Sequence, residues 1–153
     1  MIQRIQSIYL AIVTLLTATL FYLKLVTLAT QDTIYSMYYN GIFVGETNTG
    51  EMVTDMLAFT ILLISSVAVG IVTIFLNKRR LLQIRVAALN IGLQIGLTGL
   101  IYFFTRTAGK DVEVLYSFHY PVVFPLISVV LLIMAIKAIG KDEALIRSLD
   151  RIR

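Results

Sequence analysis

Cysteine is absent from the 153 residues, and histidine occurs once. Without thiols the chain cannot form disulfides, run thiolate chemistry, or hold iron–sulfur or Cys-based zinc sites. Quinone-linked disulfide oxidases, which also have four helices, are excluded because their chemistry needs Cys pairs. A single His119 cannot build a zinc site, and no second His or carboxylate stands near it at ligand spacing. No metal or cofactor is therefore expected. Charge is scarce as well: 14% of residues are Asp, Glu, Lys or Arg, against roughly 25% in a typical soluble domain. There are two prolines, Pro121 and Pro125, and they lie close together.

The abundant component is long apolar runs, and the few charges are clustered between them. A spanning helix needs about 20 mostly apolar residues, because it rises 1.5 Å per residue through a hydrocarbon core of about 30 Å. Four segments meet that demand, at about 5–28, 53–76, 86–105 and 117–137. The expectation is an all-α membrane protein, one domain built as an antiparallel bundle of four transmembrane helices. Thr27-Leu28-Ala29 loosely imitates a signal-peptide cleavage site, but the preceding apolar run exceeds the usual h-region and reads as an anchor.

The intervening loops differ in sign. Arg4, Lys78, Arg79, Arg80, Arg85, Lys137, Lys141, Arg147, Arg151 and Arg153 fall on one side, 10 of the 13 basic residues. Lys24, Arg106 and Lys110 fall on the other, with most of the acidic residues. By the positive-inside rule both termini and the loop 77–85 are cytoplasmic. The net charge of +4 flanks apolar spans instead of striping a soluble face, which argues for anionic lipid headgroups as partner and against nucleic acid.

The outer loops carry β signals. Ile34–Tyr39 and Ile42–Val44 flank Asn40-Gly41, a dipeptide suited to the positive φ angles of a type I′ turn. The second outer loop, 106–116, ends in the partly alternating, β-prone stretch 111–116. A small extracytoplasmic hairpin or three-stranded layer is expected, with the outer aromatics serving also as an interfacial belt.

Polar and small residues within the spans are the candidate site. Asn90 and Gln94 are four apart and share a helix face; in lipid they must find partners inside the protein. Interhelical glue and a polar solute cavity are both open. Gly92 and Gly96, extended by Ala88 and Gly99, together with Ser66 and Gly70, form small-xxx-small patterns for close helix packing or homo-oligomerisation. Lys24 and Asp55 close the outer ends of adjacent spans and are expected to pair there. After the fourth span Gly140 permits a break. The tail 138–153 then carries Leu145, Leu149 and Ile152 in a stripe, an amphipathic helix with Arg147, Arg151 and Arg153 near headgroups.

The stretches Met1–Leu10, Asn77–Arg85 and Lys141–Arg153 resemble a small four-helix membrane family of the Bacteroidota, described only as a domain of unknown function. The resemblance implies a bacterial inner-membrane location and four spans, and it supplies no activity and no catalytic residue. Three functions compete on the residues alone: a non-enzymatic scaffold or accessory subunit of a membrane complex, a lipid or solute carrier using Asn90 and Gln94, and a small membrane enzyme. The last lacks a basic or acidic residue within the spans to hold an anionic cofactor.

Overall fold

The computed structural model describes residues 2–109 and 114–150. Among these, four α-helices alternate with a five-stranded antiparallel sheet. The order is α1 (Ile2–Thr19), β1 (Val26–Ala29), β2 (Ile34–Met37), β3 (Gly41–Val44), β4 (Met52–Asp55), α2 (Leu57–Phe75), α3 (Arg80–Ala108), β5 (Leu115–Phe118) and α4 (Phe124–Asp150). The expectation of an all-α protein carrying a small hairpin or three-stranded layer is thus wrong. The sheet runs β4-β3-β2-β1-β5, with four strands from the first interhelical connection and one from the last.

The error has a physical origin at the ends of the apolar runs. The first run was expected to span to residue 28, yet α1 ends at Thr19, and Val26–Ala29 pair with both β2 and β5. Val26 and Leu28 are buried, so their apolar character serves a sheet core and not a lipid-facing helix. Residues 53–55 of β4 and 117–118 of β5 likewise fell within the expected spans, while Leu115 and Tyr116 lay in the stretch read as β-prone. Strands of four residues show at most two periods of alternation, too few to stand out beside a helix-length apolar run.

The helices form a ring in which each packs against its chain neighbours and α1 closes on α4. Their buried positions follow one rule. On α1 these are Gln6, Leu10, Val13 and Thr17; on α2, Phe59, Leu63, Ser66, Gly70 and Thr73; on α3, Gln83, Ala87, Asn90, Gln94, Leu97 and Ile101. On α4, Ser128, Leu132, Ala135 and Ile139 continue the pattern. The 4-3 spacing is the seam of helices crossing at about +20° with knobs-into-holes contacts. Leu57–Phe75, Arg80–Ala108 and Tyr120–Ala144 are long and apolar enough to cross a membrane, whereas the apolar part of α1, Ile5–Thr19, is shorter.

The sheet closes one end of the ring. Val26, Leu28, Met37 and Ile42 from its inner face pack with Leu20, Phe59, Leu97 and Ile101 at the helix ends in one buried cluster. Two further boundaries differ from expectation. The basic connection 77–85 shrinks to a 3-10 turn, Leu76–Lys78, because α3 already begins at Arg80. At the other end α4 runs through Gly140 without interruption. A lone interior glycine costs only about 1 kcal/mol relative to Ala, and the neighbouring Ile139 is buried on the seam.

Candidate functional site

Midway along the ring, the seam positions of three helices are polar. The Ser66 hydroxyl on α2 donates to Asn90 Oδ1 on α3 at 2.7 Å. Gln94 Nε2 donates to Thr17 Oγ1 on α1 at 2.7 Å and to Ser66 Oγ at 3.1 Å. Thr17 Oγ1 in turn donates to the Val13 carbonyl at 2.8 Å. Each hydroxyl therefore both accepts and donates, and the cluster is directional from Gln94 through Ser66 to Asn90. Its two free ends are amide atoms: Asn90 Nδ2 and Gln94 Oε1 make no hydrogen bond to protein. Asn90 is 1% exposed and Gln94 fully buried.

Gly70 makes this arrangement possible. A Cβ at that position would stand 2.7 Å from Thr14 Oγ1 and 3.5 Å from Asn90 Nδ2. Ser66, Gly70, Asn90 and Gln94, which sequence spacing singled out, are thus brought to one place. Gly92 and Gly96 are not part of it. A Cβ on Gly92 or Gly99 would meet nothing within 4 Å, and one on Gly96 would touch only Leu62 of α2. Gly92 and Gly99 therefore face away from their own ring, because Asn90 and Gln94 occupy the inward seam, while Gly96 lies against α2.

Two residues missed by sequence reasoning, Gln6 and Gln83, tie the far end of the ring together with Arg80. Gln6 Nε2 donates to the Ala138 carbonyl at 3.0 Å, joining α1 to α4. Gln83 Nε2 donates to the Thr73 carbonyl at 3.1 Å, joining α3 to α2. Arg80 Nη1 lies 2.8 Å from an Asp142 carboxylate oxygen, an ionic contact and not an aligned hydrogen bond. That pair sets a cation at the start of α3, where the helix dipole opposes it, against a carboxylate on α4. The available signal was the 4-3 register: Gln83 lies seven before Asn90, and Gln6 eleven before Thr17.

The remaining basic positions are less gathered. Arg79 and Arg85 are exposed on the connection and first turns of α3, and Lys78 closes the 3-10 turn. Arg147 lies in α4, while Arg151, Arg153 and the stripe residue Ile152 fall outside the described residues.

At the sheet end, two expectations are corrected. Lys24 does not pair with Asp55: its Nζ donates to the Glu46 carbonyl at 3.2 Å, and Asp55 is exposed on β4. With α1 ending early, Lys24 leads into β1, and two strands separate β1 from β4, roughly 14 Å at the usual strand spacing. The hairpin at Asn40-Gly41 exists, but neither residue has a positive φ; Gly45, at 98°, is the positive-φ glycine. Tyr38 N–H donates to the Gly41 carbonyl, and the turn's other carbonyls serve α2. The Asn40 carbonyl accepts from Met56 N–H and the Tyr39 carbonyl from the Thr60 hydroxyl, so the turn caps the helix start. Gly41 is required for space, since a Cβ there would stand 2.9 Å from the Thr54 carbonyl.

Chemically the seam cluster consists of two amides and two hydroxyls with no titratable group. It can hold helices and orient a hydrogen-bonding guest, but it has no base to activate Ser66. A cavity of about 310 Å³ lies elsewhere, beneath the sheet, lined by Leu28, Tyr35, Ile42, Thr54, Thr107 and Val114 among others. Over residues 2–152 the chain matches the model of a family described as "Domain of unknown function (DUF4293)". The chain belongs to that family. No curated protein matches it, and no solved structure does. Membership in this family carries no activity, so function must be argued from the geometry above.

Proposed function

We propose that this DUF4293 protein is a multi-pass protein of a bacterial cytoplasmic membrane that acts as a non-enzymatic scaffold or accessory subunit. The observation that carries this reading is how the interior polar groups are used. Thr17, Ser66, Asn90 and Gln94 bond to one another across three helices, which is how polar residues hold a bundle together in lipid. In this reading α1 is a fourth span, supported by its packing along both α2 and α4. The connection 76–79 and both chain ends face the cytoplasm, and the sheet faces outward. The basic residues gathered near Arg79, Arg80 and Arg85 then meet anionic headgroups.

A solute-binding reading rests on one observation, the unbonded Asn90 Nδ2 and Gln94 Oε1. The cavity beneath the sheet includes neither residue, so a guest would have to open the seam. The scaffold reading requires less of the protein.

The absence of cysteine makes the test clean. Asn48→Cys should react with a membrane-impermeant thiol reagent from outside intact cells, and Asn77→Cys only after lysis; the reverse pattern refutes the orientation. A tagged chain taken from native membranes in mild detergent should carry at least one different chain at fixed stoichiometry. Recovery with no other chain refutes the accessory-subunit role.

A further inference from the structure

The two edges of the sheet are not alike. β4 is preceded by the acidic Glu51 and ends in Asp55, and its pairing with β3 is interrupted by a register shift between Ile42 and Phe43. Charge and irregular pairing at an edge both discourage another strand from adding there. The four residues of β5 have neither protection, the nearest charge in sequence being Glu113, two residues before Leu115. These residues, Leu115-Tyr116-Ser117-Phe118, are uncharged, regularly paired with β1, and exposed along their whole length. Leu115 is 75% exposed, Phe118 59%, and the adjoining Tyr120 67%.

The bonding pattern identifies which backbone groups are free. His119 N–H donates to the Leu25 carbonyl, so in the register Val26↔Phe118, Thr27↔Ser117 the hydrogen-bonded positions of β5 alternate as 115, 117 and 119. The N–H and C=O groups of Tyr116 and Phe118 therefore point away from β1. Among the described residues β5 is the last strand of the sheet.

We propose that β5 is a self-pairing edge that joins two copies of this chain antiparallel about a two-fold axis through Ser117. The proposal rests on the contact-holding reading above and names the partner. With Ser117 on the axis, Tyr116 of each copy faces Phe118 of the other, and all four outward groups of each strand segment are used. The aromatic side chains, already stacked within one copy at 6.5 Å between centroids, become cross-strand aromatic pairs, a favourable combination. Because the strand carries no charge, the symmetric pairing sets no like charges opposite each other. The same operation on β4 would bring acidic flanks together.

Membrane geometry agrees. An antiparallel pair within one continuous sheet has its two-fold axis normal to the sheet, and two copies in one bilayer need that axis along the membrane normal. A sheet whose buried face rests on Leu20, Phe59 and Ile101 at the helix ends lies across the ring and satisfies both.

The test uses the full chain in native membranes. In Ser117→Cys, two thiols would face each other at a non-hydrogen-bonded pair, with Cα atoms about 4.5 Å apart, within disulfide range. Mild oxidation should convert most of this variant to a covalent dimer, while the exposed Val53→Cys on β4 stays monomeric. Coexpressed copies with two different tags should copurify, and Ser117→Lys, on an exposed side chain, should cut that recovery at least tenfold. Equal crosslinking at positions 53 and 117 would indicate random collision and overturn the proposal. So would a Ser117→Cys adduct to a different chain, which would leave the scaffold reading intact. Failure to crosslink at 117 also overturns it, as does crosslinking there only to a photoreactive lipid, which would mark an edge covered by headgroups.

Discussion

Replacing Ser66 by Ala should be more damaging than removing the Asn90 amide it serves. The Ser66 hydroxyl is the donor to Asn90 Oδ1 and the second acceptor for Gln94 Nε2. Since Asn90 Nδ2 already lacks a partner, Ser66→Ala leaves a buried amide unsatisfied at both ends. An interhelical hydrogen bond in lipid is worth about 0.6 kcal/mol on average and about 1.7 at most. Stranding a buried acceptor adds about 1–3 kcal/mol. The longer Gln94 bond adds little, because Gln94 keeps Thr17. The sum is a loss of about 2–5 kcal/mol. Asn90→Leu is the opposite case. It removes one bond together with an already unsatisfied group, and Ser66 can turn its hydroxyl to a carbonyl four residues back, as Ser65 does to Ile61. That variant should lose no more than about 1.5 kcal/mol. The double variant Ser66→Ala/Asn90→Leu strands no Asn90 amide and should be more stable than Ser66→Ala alone, with a coupling of at least about 1 kcal/mol. Reversible unfolding in bicelles, followed by steric trapping or by denaturing detergent, measures all three. Additive losses, or a Ser66→Ala variant as stable as the parent, would show that this bond does not hold the ring.

Two further perturbations probe the same construction. Gly70→Ala should cost about 1–3 kcal/mol by overpacking, since its Cβ would crowd Thr14 Oγ1; trimming Thr14→Ala in the same chain should restore part of the loss. Gly92→Ala, whose Cβ meets nothing, should leave unfolding in bicelles within about 0.5 kcal/mol of the parent. At the far end, Asp142→Asn should destabilise more than Arg80→Gln, because it leaves a cation facing the α3 N-terminus. Because the pair is largely buried, at 18% and 16% side-chain exposure, the difference should exceed about 1 kcal/mol and change little with added salt, as thermal unfolding at low and high ionic strength would show.

The apolar runs alone were enough to locate the central parts of α2, α3 and α4 but not their ends, and residue spacing placed Asn90 and Gln94 on one face of α3. Burying a helix in lipid constrains every residue along it, so composition and the 3.6-residue period are nearly sufficient there. The seam could have been read more fully, since Gln6, Gln83 and Thr17 keep the same 4-3 spacing as the residues that were recognised. What only the tertiary structure decided lies at helix ends and in pairings distant along the chain. Whether Val26–Ala29 continues a helix or enters a sheet depends on β2 and β5, the latter about ninety residues away. Whether Asn40-Gly41 makes a type I′ turn depends on Met56 and Thr60 taking the turn's carbonyls. Lys24 and Asp55 stand apart for the same reason, because strand order, not nearness to a span's end, sets the distance between them. Strands draw their hydrogen-bond partners from elsewhere in the chain, so four-residue segments carry too little of their own pattern to announce a five-stranded sheet.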